Sequence, residues 1–164
     1  MLEQIVDEFR HTFSAVPAPV AFARVLTAIF LGGCIGAERE RRGKPAGLRT
    51  HILVSVAACL FVILGRELAA LDFGGNEQRN DPLRMIEAVT AGVAFLAAGI
   101  IFTSGGQVKN TPTGASLWLA GAVGLGCGMG QMPLAAMTTA IVVVVLALVR
   151  VFERRMWPDQ DHDD

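Results

Sequence analysis

The sequence predicts an all-α polytopic membrane protein, a bundle of five transmembrane helices preceded by a short N-terminal amphipathic helix. Three observations carry this. Of 164 residues 52% are hydrophobic, with a mean hydropathy of +0.49 and 18 glycines; a soluble domain is about 45–50% apolar, so composition alone is only slightly unusual. The distribution is more telling, because the charges are bunched between five long apolar runs, a pattern of one membrane domain with no length left for a soluble enzyme. The third observation is the densest bunch, in GGCIGAERERRGKPAGLRTH from Gly32 to His51. There Glu38, Arg39, Glu40, Arg41, Arg42, Lys44 and Arg49 separate two apolar stretches, which makes a hairpin pinned at a membrane surface.

Taken in order, residues 1–19 form an N-terminal segment. Leu2, Ile5, Val6, Phe9 and Phe13 recur at helical spacing while Glu3, Gln4, Asp7 and Glu8 point elsewhere, an amphipathic helix that Pro17 and Pro19 stop. Its acidic start lacks the basic region and cleavage site of a signal peptide, so none is expected. The transmembrane domain covers residues 20–152, with spans over 20–37, 48–65, 85–102, 115–132 and 133–149. Eighteen residues rise roughly 27 Å, enough to cross. Arg24, one turn inside the first span, is expected to snorkel outward. Asp81-Pro82 reads as an N-cap and first-turn proline before the third. Residues 153–164 are an acidic tail expected to be disordered.

Orientation follows from the basic residues. Loop one, Lys109 and the C-terminal Arg150, Arg154 and Arg155 set nine against the five on the other side, Arg10, Arg24, Arg66, Arg79 and Arg84. That bias puts loop one and the C-terminus in the cytoplasm and the N-terminus outside. A shift of 63 residues also lays Arg24 over Glu87 and Gly36 over Gly99, a faint parallel repeat. Cys34, Cys59 and Cys127 all lie in apolar runs and read as small hydrophobes, with no disulfide expected.

Candidate functional residues fall in three groups. Plain anchoring accounts for Arg41, Arg42 and Lys44. Glu38, Arg39, Arg49 and His51 lie close to hydrocarbon, where ionisable groups are costly and usually pair or line a polar cavity. An ion network of Glu38, Arg39 and Arg49 is therefore expected, with His51 as a hydrogen-bonded structural residue. The second group is Asp81, Arg84 and Glu87 at helical spacing. If Glu87 faced the interior, Asp81 and Glu87 would be the candidates for holding a hydrated magnesium ion; the alternative is a cap with a surface pair. The third group is helix-packing glycine: Gly32, Gly36, Gly99, Gly121, Gly124 and Gly128, at small-x-x-x-small spacings that admit close approach. Thr111-Pro112-Thr113 offers a helix N-terminus to an anion. Catalytic signatures such as G-x-S-x-G, a Walker loop or H-E-x-x-H are absent.

The block GCIGAERERRGKPAGLRTHILVSVAACLF resembles the opening signature of the MgtC/SapB family of bacterial inner-membrane proteins, a G-x-x-x-G-x-E-R-E loop leading into A-G-L-R-T-H. The likeness continues through Asp81-Pro82-x-Arg84, Gly92 to Ile101 and Thr113-Gly-Ala-Ser-Leu-Trp118, over roughly residues 20 to 150. The family's G-F-L-G-A-G stands here as Ala94-Phe-Leu-Ala-Ala-Gly99, and its threonine pair before the tryptophan helix is altered. The resemblance implies the N-terminal transmembrane domain without the soluble C-terminal domain many members carry. It implies a non-enzymatic accessory protein in magnesium or pH homeostasis and stress adaptation, multi-pass in the inner membrane and acting on membrane partners. No cofactor other than magnesium enters, and the partners expected are the lipid bilayer, a second copy of the chain through Gly32/Gly36 or the fourth-span glycines, and another membrane protein, with no nucleic acid. The alternative is a small transporter or channel for magnesium or protons, using Glu38, Asp81 and Glu87.

Overall fold

A computed structural model of the chain describes residues 13–71, 81–104 and 107–156. Five helices run in order: α1 (Ala18–Glu40), α2 (Leu48–Ala70), α3 (Pro82–Ile100), α4 (Thr111–Met129) and α5 (Met132–Met156), with a two-stranded hairpin, β1 (Phe102–Ser104) and β2 (Gln107–Lys109), between α3 and α4. The all-helical reading holds. Four of the helices, α1, α2, α3 and α5, are long and apolar enough to cross a membrane. The helices run past most of the expected limits, because amphipathic ends extend each one beyond its apolar centre.

Local chemistry sets the ends. Pro17 and Pro19 begin α1 rather than only ending what precedes them, Pro17 as the N-cap and Pro19 in the first turn, since a proline's missing N–H costs nothing there. Asp81 caps α3, its carboxylate accepting from Leu83 N at 3.0 Å. The third apolar stretch was expected to stay helical to residue 102, but Ile101 is already extended. The strands pair antiparallel, Phe102 with Lys109 and Ser104 with Gln107. Asn110 follows in the left-handed region, φ 64°, which asparagine tolerates, and its Nδ2 donates to Ile100 O at 3.3 Å. At the far end of α4, Gly130 at φ 86° closes a Schellman turn: Gly130 N donates to Cys127 O at 3.0 Å and Gln131 N to Gly126 O at 2.8 Å.

Helix α4 stands at the centre, packed on α1, α2, α3 and α5. It is rich in glycine because its neighbours come very close. A Cβ at Gly124 would collide with Ser55 O and lie 2.8 Å from Ser55 C; one at Gly128 would lie 2.7 Å from Cys59 O. Gly121 meets Val93 and Gly114 meets Ile101, so α2 approaches one part of the glycine surface and α3 another. On α1, Gly32 and Gly36 admit α2 in the same way, against Ser55 and Leu48 Cα. Gly99 is the exception: nothing lies within 4 Å of its added Cβ, and it is exposed. One core cluster gathers Ala28, Leu31, Ile35, Cys59, Ile63, Val123 and Cys127, sealed at one end by Val16; Val54, Val93, Leu117 and Ala120 belong to a second, and Ala58, Val62 and Leu125 to a third.

Two further expectations need correcting. The glycines proposed to bring two copies together are already occupied by packing inside one chain. The positions matched by the 63-residue shift lie in unlike settings: Gly36 is packed and Gly99 open, Arg24 buried and Glu87 exposed. The amphipathic helix lies largely outside the described residues, and its described end, 13–16, is turn and bend rather than helix. Of the acidic tail expected over 153–164, residues 153–156 are the last turn of α5 and the rest lies outside the described residues.

Candidate functional site: two polar clusters at opposite ends of the bundle

The ends of the bundle hold separate polar clusters. At the loop-one end, Glu38 is half-buried and its Oε2 accepts from Arg39 Nε at 2.8 Å. Arg39 is 2% exposed. The other oxygen, Oε1, forms an ion pair with Arg42. That pairing is a charge contact rather than an aligned hydrogen bond, and Arg42 Nη2 reaches across to Leu146 O on α5 at 2.8 Å. Glu40 turns the other way and accepts from Leu48 N at 2.7 Å. It thereby satisfies a first-turn N–H of α2, whose N-cap Gly47 has no side chain to do so.

His51 sits beneath this pair, fully buried. Its Nδ1 lies 2.8 Å from Gly47 O and its Nε2 3.0 Å from Ser116 Oγ on α4. Ser116 Oγ in turn donates to Thr113 O at 2.8 Å. One turn further in, Ser55 Oγ donates to Ala28 O at 3.0 Å, tying α2 to α1 beside Gly32. These hydroxyls use backbone carbonyls as acceptors, which keeps the buried polar atoms paired.

The opposite end centres on Arg24. It was expected to snorkel outward and instead turns inward, 9% exposed. The Schellman turn of α4 satisfies the carbonyls of Gly126 and Cys127, leaving Gly128 O, and Arg24 Nη1 donates to it at 2.7 Å. A cation at the carbonyl end of a helix is also favoured by the helix dipole. Arg24 Nε is buried without a partner. At the same end Glu67 holds the segment before α1: its Oε2 accepts from Ser14 N, Ser14 Oγ and Ala15 N at 3.0, 2.7 and 3.0 Å, and its Oε1 from Val16 N at 2.8 Å. The carboxylate thus seats Val16 in the core.

The expected site residues therefore divide. Glu38, Arg39 and His51 come together at loop one. Arg49 does not join them; it is exposed, because a helix start at Leu48 turns its side chain to the outer face. Arg42 takes the place expected of it. Asp81, Arg84 and Glu87 are all exposed, so Glu87 does not face the interior as the magnesium reading required. Asp81 already accepts from Leu83 N, and it lies six positions from Glu87, roughly 9 Å of helical rise. Among the described residues no three His, Cys, Asp or Glu are grouped to hold a metal ion. Thr113, read as an anion-facing hydroxyl, is buried. Sequence reading missed Arg24, Ser55, Glu67 and Ser116, since each acts on a partner at least 27 positions away. An apolar cleft of about 530 Å³ also opens between α2 and α3, lined by Val54, Phe61, Met85, Val89 and Leu96 among others.

Comparison with known proteins gives the ancestry. The chain is 42% identical over 123 residues to Protein MgtC of Brucella abortus (strain 2308), covering 75% of this chain and 48% of that one. It is 33% identical over 132 residues to Protein MgtC of Salmonella typhimurium (strain 14028s / SGSC 2262), covering 80% and 53%. The chain thus spans about half the length of the curated relatives it matches. No solved structure matches it. With the MgtC family profile matching residues 25–155, which takes in Glu38, His51, Ser116 and nearly all five helices, the chain belongs to the MgtC family.

Proposed function

We propose that the protein is a non-enzymatic accessory protein of a bacterial inner membrane, serving magnesium or pH homeostasis and stress adaptation by contact with another membrane protein. All five helices cross in this reading, α4 included. Helix α4 carries no charged residue, and packing on the other four helices shields it from lipid, so it has less need of a greasy surface. Loop one and the C-terminus face the cytoplasm, in keeping with the excess of Lys and Arg on that side.

One observation carries the accessory role over transport. Arg24 and Arg39 are fifteen positions apart on α1, roughly 22 Å of rise. Between them α1 buries Ala28, Leu31 and Ile35 in a cluster with Cys59, Val123 and Cys127; of the buried polar residues, Ser55 is bonded to Ala28 O and His51 to Gly47 O and Ser116 at the loop-one end. A transport path needs polar groups through the bundle; of the carboxylates that would line it, Glu87 and Asp81 lie on the outer surface and Glu38 is taken up by Arg39 and Arg42. The exposed charges Glu40, Arg41 and Arg49 at loop one are instead the surface offered to a partner.

Purified protein in liposomes, assayed for magnesium and proton flux, tests this. Flux is expected to stay at the level of empty liposomes. Flux well above background, abolished by Glu38→Gln, would establish the transporter reading in its place.

A further inference from the structure

We propose that His51 is a proton-binding site, and that the proton on its ring decides how Ser116 joins α2 to α4. Counting hydrogens gives the reason. Three contacts run in line: Nδ1 to Gly47 O, Nε2 to Ser116 Oγ, and Ser116 Oγ to Thr113 O. Gly47 O and Thr113 O are carbonyls and only accept. The first contact therefore needs a hydrogen on Nδ1, and the third takes the single hydroxyl hydrogen of Ser116. That leaves Ser116 Oγ as the acceptor in the middle contact, which needs a hydrogen on Nε2 as well. All three bonds exist together only when the ring carries both protons.

A neutral ring breaks the set. With Nδ1–H kept on Gly47 O, Nε2 is a bare acceptor and the Ser116 hydroxyl has two acceptors for one hydrogen. It turns to Nε2 and releases Thr113 O, which is buried in the first turn of α4, or stays on Thr113 O and leaves Nε2 unpaired. In the first case Thr113 O keeps the N–H of Leu117, four residues on in α4, and the change is which bond Ser116 makes; in the second a buried ring nitrogen goes unpaired. Ser116 is thus a hinge between an intrahelical and an interhelical bond, set by one proton.

Glu38 and Arg39 of α1 are the charged groups that act on the ring, and they are bonded to each other. Helix α4 presents only the hydroxyls of Ser116 and Thr113. Helix α3 carries no titratable residue from Ala88 to Ile100. On loop one Glu40 is held by Leu48 N and Arg42 by Glu38 and Leu146 O. Gly36 makes room for the ring, since a Cβ there would stand 3.0 Å from His51 Cβ.

The test is solid-state NMR of the full chain in lipid bilayers with ¹⁵N-labelled histidine, His51 being assigned by its loss in His51→Gln. Lowering the pH from about 8 to about 4, the range around which histidine changes charge, should convert one protonated ring nitrogen of His51 to two. Ser116→Ala removes the partner of Nε2 in both states, and because the bond to the charged ring is the stronger one it should lower the midpoint, while Ser116→Thr should restore it. A wild-type ring that keeps a single protonated nitrogen throughout overturns the proposal, and this needs no variant to fold. So does a midpoint that Ser116→Ala leaves in place.

Discussion

Replacing Gly124 by alanine should separate α2 from α4. An added Cβ would overlap Ser55 O and stand 2.8 Å from Ser55 C and 2.9 Å from Ser55 Cα. These are backbone atoms in the middle of a helix, so no side chain can swing aside. Ordinary contact begins at 3.4 Å, so the two helices must part by at least about 0.6 Å, enough to forfeit a sizeable part of each van der Waals contact along the interface. Ser55 Oγ would be drawn from Ala28 O, now 3.0 Å away. Overpacking of a filled interior costs about 1–3 kcal/mol, and the loosened hydrogen bond adds to that. The control is Gly99→Ala, where the new methyl meets nothing within 4 Å and the helix gains up to ~1 kcal/mol of intrinsic preference. Thermal unfolding of the purified protein in one detergent, followed by helicity and by the monodisperse fraction, should place Gly124→Ala well below wild type and Gly99→Ala at or above it. If the two variants melt together, the close approach of α2 and α4 is wrong.

Other outcomes follow from the two polar clusters. Glu38→Gln keeps the shape but strips Arg39 of its carboxylate. A fully buried pair broken this way loses 3–5 kcal/mol; with Glu38 partly open to solvent, about 2 kcal/mol is expected in the same melting assay, and an unchanged melting temperature would contradict the pairing. Arg24→Met removes the donor to Gly128 O and should speed amide hydrogen exchange at Gly130 and Gln131 without altering the rest of α4. Glu67→Ala releases Ser14, Ala15 and Val16 together, so limited proteolysis should cut before Pro17 faster than in wild type. Arg41→Cys, on the exposed face of loop one, should react with a membrane-impermeant maleimide only after cells are opened; labelling of intact cells would reverse the orientation.

Much of the helical layout was legible because it rests on neighbours in sequence. Asp81-Pro82 starts a helix by local geometry, and runs such as Ile141 to Leu146 cannot lie in water for long. Loop one was legible as a charged turn, and Glu38 beside Arg39 as a pair, because the two are adjacent. The hairpin of residues 102–109 was not, since three-residue strands leave too short a pattern to separate from the end of an apolar helix.

What the sequence determined by itself is which segments are helical and which end of each is charged. The tertiary structure decided which face of each helix meets protein. In lipid both faces are apolar, so hydrophobic periodicity loses the power it has in water to mark the buried side. Gly99 and Gly124 look alike in the chain, yet one faces open space and the other the backbone of α2. Arg24 finds its carbonyl 104 positions away and His51 its hydroxyl 65 positions away. Such partners are chosen by the crossing of helices, and the local sequence does not encode it.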